Sequence, residues 1–219
     1  MAEDLTVVGL GGSTRAGSTS LTALRTALEG AGAARVRTTM LDLRELDLPM
    51  YSPEHGVPTS VTRLIDATAS ADGMIWSSPT YQGSISGALK NALDWMILLG
   101  DREPAYLTNK PIGLVATAGG VQGLQSINAM EFSVRALRGW AVPLVLAVAQ
   151  SRTVFDSEGR LVDDAVAAQL QALGAEVARA AFQFRNEGTC DYADNRQFTR
   201  PSHTDAGGQP SPIQSQGVM

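Results

Sequence analysis

Short apolar runs alternate with longer amphipathic stretches over most of the chain. The apolar runs are LTVVGLG at 5–11, RVRTTML at 35–41, GMIWSS at 73–78, PIGLVAT at 111–117 and VPLVLAVA at 142–149. Each is short and rich in β-branched or bulky residues, which predicts a strand. Between them, apolar positions recur with helical spacing over 18–30, 59–70, 86–99, 122–138 and 163–184. Five repeats of strand then helix predict an α/β fold, a parallel sheet covered by helices on both faces. The periodicity stops near Asn186. The remainder, NEGTCDYADNRQFTRPSHTDAGGQPSPIQSQGVM, is polar, contains Pro and Gly, and has no period. The expected organisation is one domain over 1–186 and a polar tail or arm over 187–219.

Composition narrows the class of partner. Seventeen basic and 22 acidic residues give a net charge of −5, and the basic residues are scattered, so neither nucleic acid nor an anionic membrane is an expected partner. The single Cys190 cannot form an internal disulfide, and His55 and His203 lack metal-ligand spacing, so no metal is expected. The acidic start MAEDLTVVGL does not resemble a signal peptide, and no apolar run reaches the roughly 18 residues of a membrane span. A soluble, cytoplasmic protein acting on small molecules is expected.

Ligands of open parallel sheets bind beyond the carboxyl ends of the strands, where the strand order reverses. Three loops leave such ends with unusual residues: GSTRAGSTS after the first strand, PTYQGS after the third and AGGVQG after the fourth. In a flavodoxin-like, doubly wound order 2-1-3-4-5 those strands are neighbours, so one ligand can touch all three loops. From Gly12 the first loop has the G-x-x-x-x-G spacing of a P-loop, with Ser18 where the lysine should stand. Ser13, Ser18, Thr19 and Ser20 offer hydroxyls, Arg15 offers a forked cation, and the following helix offers its free amides. Without the lysine, and with WSSP in place of an acidic strand end for magnesium, the loop suits a terminal phosphate held without metal. The alternative is a helix N-cap with spare serines.

The two loop motifs together resemble the NADPH-dependent FMN reductases of flavodoxin-like fold. GSTRAGSTS is similar to the G-S-x-R-x-x-S-x-[SN] phosphate loop of that family, and PTYQGSISGALKNALDW to its P-x-Y-x-x-S-x-x-G-x-L-K-x-x-x-D segment. With AGGVQG the resemblance covers about 5–185. It implies that Ser13, Arg15, Ser18 and Ser20 hold the FMN phosphate. It also implies that Pro79, Thr80, Tyr81, Gln82 and Ser84 border the isoalloxazine, and that Ala118, Gly119 and Gly120 line its other edge. The chain departs from the pattern in having Gln82 where many members have Asn, and Ser86 where many have Pro. The implied activity is hydride transfer from NADPH or NADH to FMN, chemistry that belongs to the cofactors, so no side chain is assigned as a catalytic acid or base. Reduced flavin would serve a monooxygenase partner.

Three other readings stand beside it: an FMN-containing quinone, azo or chromate reductase, a flavodoxin-type electron carrier, and a phosphate-ester-binding module without redox function. The helix at 86–99 is apolar over more than half its circumference, with Trp95 either in the core or at a subunit contact, so a homodimer or homotetramer is expected. Arg102 is a candidate for the 2′-phosphate of NADPH, and His55 reads as a loop residue.

Overall fold

A computed structural model of the chain describes residues 5–34, 36–54 and 56–186. His55, Cys190, His203 and the tail 187–219 lie outside the described residues. Five strands, β1 (Thr6–Gly11), β2 (Arg37–Asp42), β3 (Gly73–Pro79), β4 (Pro111–Thr117) and β5 (Trp140–Val148), form one parallel sheet in the order β2-β1-β3-β4-β5. This is the flavodoxin-like order expected above. The register sets Gly11 level with Asp42 and Ser77, Pro79 level with Thr117, and Thr117 level with Val148, so the carboxyl ends of all five strands form one edge.

Successive side chains of a strand face opposite ways, and the sheet therefore sorts its apolar residues into two layers. Val8, Leu10, Met74, Trp76, Ile112 and Leu114 pack with α3 (Thr59–Ser70), α4 (Gly87–Trp95) and α5 (Gly123–Ala136) on one face. Val7, Ile75, Val115 and Leu146 pack with α1 (Thr19–Ala33) and α7 (Asp164–Asn186) on the other. The chain after β1 thus enters one layer and the chain after β3 the opposite layer, which opens a crevice between their loops. At the far, amino-terminal edge, the buried Lys110 Nζ donates to Ala69 O at 3.0 Å and to Ala71 O, closing the end of α3. Burial pushes the Lys110 ammonium below its ordinary value of 10.5, and the nearby Asp72 charge opposes that shift.

Two short helices, α2 (Leu43–Leu46) and α6 (Ser151–Val154), were not expected from the sequence, because a single turn carries no measurable period. The helix expected over 86–99 is in fact α4 followed by a tighter 3-10 turn, Met96–Leu99. Its wide apolar face is used within the chain. Ala92, Trp95 and Leu99 are buried, Tyr51 packs edge-on against Trp95 with ring centroids 5.1 Å apart, and Trp95 Nε1 donates to Pro49 O at 2.9 Å. Trp95 is a core residue, and the side of the helix that carries Ala92, Trp95 and Leu99 is covered within the chain.

Candidate functional site

The loop after β1 is built around buried serines. Ser18 begins α1, and its carbonyl accepts the first helical bonds from Leu21 N and Thr22 N, both at 3.1 Å. Its hydroxyl does not cap the helix; it pairs with Ser20 Oγ at 2.9 Å. Ser20 is completely enclosed, so its hydroxyl supports Ser18 and does not face solvent. Ser13 is buried as well, and its Oγ accepts from Arg15 N at 3.2 Å. Thr14, Arg15, Ala16 and Gly17 form the exposed crest. Arg15 has no ion-pair partner among the described residues, so its guanidinium is available to an anion. Gly17 takes a positive φ of 63°, which a residue with Cβ would resist. The free amides at the start of α1 lie behind this crest. A cation with forked donors beside free helix amides suits an anionic ligand.

This loop is fastened to the next one. Gly12 N donates to Ser77 O at 2.7 Å, Ser77 Oγ donates to Ser20 O at 2.7 Å, and Ser86 Oγ donates to Gly12 O. The same Ser86 Oγ caps α4 by accepting from Leu89 N at 3.0 Å, while Ser86 N donates to Ser78 Oγ at 3.0 Å. The space around Gly12 is closed: a Cβ there would lie 2.9 Å from both Leu89 Cβ and Ser77 O.

After β3 the chain makes a two-residue turn. Tyr81 N donates to Ser84 O at 2.9 Å and Ser84 N to Tyr81 O at 3.0 Å, with Gln82 at φ 48° and Gly83 at φ 80° between them. Two consecutive positive φ values define a type I′ turn, for which Asn-Gly is the preferred pair. Gln82 therefore occupies a backbone position that Asn would favour. Pro79 is buried, whereas Tyr81, Gln82 and Ser84 are exposed, Tyr81 at 53%. Thr80 joins this turn to the third loop: its amide donates to Thr117 O at 2.8 Å, and its hydroxyl lies 2.8 Å from Ser126 Oγ of α5. Ala118 is buried and its amide donates to Val148 O at 2.9 Å, while Gly119 and Gly120 are exposed with open space where a Cβ would stand. The three loops thus meet at one edge, with an exposed cation and helix amides at one end and a small-residue surface at the other.

Residues 5–153 match the family of NADPH-dependent FMN reductases. The chain belongs to this family. A curated relative, an NAD(P)H-dependent FMN reductase of Pseudomonas aeruginosa, is 30% identical over 190 residues, covering 82% of this chain and 98% of the relative. An FMN-dependent NADPH-azoreductase of Staphylococcus haemolyticus is 31% identical over 131 residues, 59% of this chain and 66% of that protein. Among solved structures, the flavoenzyme NAD(P)H:(acceptor) oxidoreductase FerB of Paracoccus denitrificans superposes with a TM-score of 0.66, covering 82% of this chain and 98% of its own at 23% identity. The protein is an oxidoreductase that uses FMN and a nicotinamide nucleotide.

Several residues of this edge have partners that no local pattern indicates. Ser77, Ser86 and Ser126 each fasten one loop to another, and an isolated serine carries no signal of the partner it will meet. Gly159 packs against the loop after β1: its carbonyl accepts from Thr22 Oγ1 at 2.9 Å, and a Cβ on it would come 2.8 Å from Gly17 O. No local pattern links Gly159 to a loop more than a hundred residues earlier. Arg102 is not at the edge. It follows the helix that runs back toward the start of β4, and it pairs with Asp66 at 3.0 Å.

Proposed function

We propose that this protein reduces FMN as an exchanging substrate, using NADPH or NADH, and releases reduced flavin to a partner monooxygenase in the cytoplasm. The observation that carries this reading is the openness of the ring end of the edge. Tyr81 is the only aromatic residue in the three loops, and it is exposed on a turn instead of covering the site. Arg15 and the first amides of α1 take the phosphate, with Ser13, Ser18 and Ser20 fixing the loop that presents them. Pro79, Thr80, Tyr81, Gln82 and Ser84 border the ring on one side, and Ala118, Gly119 and Gly120 on the other. Bound there, FMN supplies the hydride-accepting ring, and the protein positions it for the nicotinamide.

A homodimer or homotetramer is part of the proposal, supported by apolar residues exposed on and beside α5. Val121 in the third loop and Leu124 and Phe132 on α5 are exposed, Leu124 at 58% and Phe132 at 73%. The azoreductase relatives favour a second reading, in which FMN stays bound and an azo compound or quinone is the acceptor. Membership in an enzyme family weighs against the electron carrier and the non-redox module.

Steady-state kinetics separate the two reductase readings. After removal of retained flavin, NADPH oxidation should rise saturably with added FMN. Rates that ignore added FMN but saturate with an azo dye would establish the second reading in its place.

A further inference from the structure

With Arg102 engaged elsewhere, the phosphorylated end of NADPH needs another recognition site. Beside the phosphate loop lies a groove of about 230 Å³, bounded by Thr14 of that loop, by Ala88 of α4 and by Leu43, Arg44, Asp47 and Leu48 of the segment after β2. Whole-ligand pockets run to roughly 300–1,000 Å³, so a groove of this size takes one end of a ligand. It adjoins the crest that holds Arg15, since Thr14 precedes that residue.

Its chemistry is mixed. Leu48, half-buried, offers an apolar surface to a ring, backed by the buried Leu43. Arg44 is exposed and has no ion-pair partner among the described residues, although Asp47 lines the same groove. The segment is held in place: Asp42 Oδ1 accepts from Arg44 N at 2.9 Å, and Asn91, also lining the groove, accepts from Tyr51 N at 2.7 Å and donates to Pro49 O at 2.9 Å. A bare anion would meet the Asp47 carboxylate as well as the arginine. A ligand that combines a flat ring, hydrogen-bond donors and a phosphate uses all of these groups, and 2′-phosphoadenosine is such a ligand.

We propose that this groove takes the 2′-phosphoadenosine end of NADPH, with Arg44 as the residue that selects it over NADH. The inference rests on the reductase reading above but concerns a different part of the edge. Calorimetry with 2′,5′-ADP and 5′-ADP as probes tests it directly. The wild-type protein should bind 2′,5′-ADP at least tenfold more tightly than 5′-ADP, and Arg44→Ala should erase that difference while FMN affinity stays within twofold. In steady state the same substitution should lower the NADPH-to-NADH ratio of kcat/KM at least tenfold. An unchanged preference in Arg44→Ala overturns the proposal and leaves the reductase reading standing. An equal loss of FMN affinity overturns it as well, since Arg44 would then serve the flavin phosphate. If the wild type oxidises neither nucleotide, the reductase reading fails, and the two probes still decide the groove.

Discussion

The loop after β1 and the turn after β3 share one sheet edge but are held in different ways. The first is fastened beneath its exposed crest: Ser13, Ser18 and Ser20 are buried, and Gly12 is tied to Ser77 and Ser86 through both its amide and its carbonyl. The second projects: Tyr81, Gln82, Gly83 and Ser84 are all exposed and close on themselves through two reciprocal backbone bonds. Rigid placement of donors around a phosphate lowers the ordering cost of binding it. An unobstructed ring end lets a second flat molecule approach. Under the proposed function, the first region anchors the flavin phosphate and the second leaves the ring free to exchange.

The strongest way to break this contrast is Gly12→Ala. The new Cβ would meet Leu89 Cβ and the Ser77 backbone oxygen at 2.9 Å, and neither is the far end of a flexible side chain. Overpacking of this kind costs about 1–3 kcal/mol of stability, and the displaced loop should also weaken FMN binding. Fluorescence titration with FMN and thermal unfolding would both register it. Wild-type affinity and stability together would show that the loop is not held as tightly as its contacts indicate.

Arg15→Ala removes a charge-assisted contact and leaves the scaffold untouched. FMN affinity should fall by about 1.5–3 kcal/mol, roughly ten- to a hundredfold, with riboflavin much less affected. Equal losses for both flavins would detach Arg15 from the phosphate.

These two residues also mark how much the sequence disclosed. Arg15 was readable because the spacing of Gly, Ser and Arg after an apolar run is a local pattern, and the same locality made all five strands and the order of the sheet readable. Gly12 was readable as the first glycine of the loop spacing, but its tight fit against Leu89 is a tertiary fact. Ser86 looked like a departure from the family pattern, and only the fold shows it capping α4 and holding Gly12 at once. The wide apolar face of α4 pointed to a subunit contact because a helical wheel counts apolar positions but cannot show that the 49–51 segment folds back over Trp95.

A control from the opposite edge sharpens the comparison. Lys110 closes α3 far from the strand ends, so Lys110→Met should leave FMN affinity within about twofold, an expectation for sites that share no partners. Its effect belongs to stability. Because burial holds the folded-state pKa below 10.5, the unfolded chain binds the proton more strongly. Stability therefore gains from this group as pH rises from below the folded value toward 10.5, and Lys110→Met should remove that rising contribution. Denaturant unfolding of both proteins across the alkaline range measures it. Identical pH profiles would mean that the ammonium is solvated after all.

The smallest effect concerns the projecting turn itself. Gln82 sits at φ 48°, in the left-handed region that costs an ordinary L-residue roughly 1–2 kcal/mol, a cost Asn reduces by bonding its own backbone. Gln82→Asn should therefore stabilise the protein, by up to about 1 kcal/mol. Gln82→Val should do the opposite, because a β-branched side chain tolerates positive φ least. Both variants should keep phosphate anchoring intact, which the FMN-to-riboflavin affinity ratio reports independently of any change at the ring. If Asn and Val are equally neutral in denaturant unfolding, the turn does not hold its type I′ geometry in solution, and the ring end is looser than its two backbone bonds require. If Asn stabilises the fold but slows FMN exchange, the glutamine is retained for turnover at some expense in stability, and the contrast between an anchored phosphate and an exchanging ring extends to the choice of a single residue.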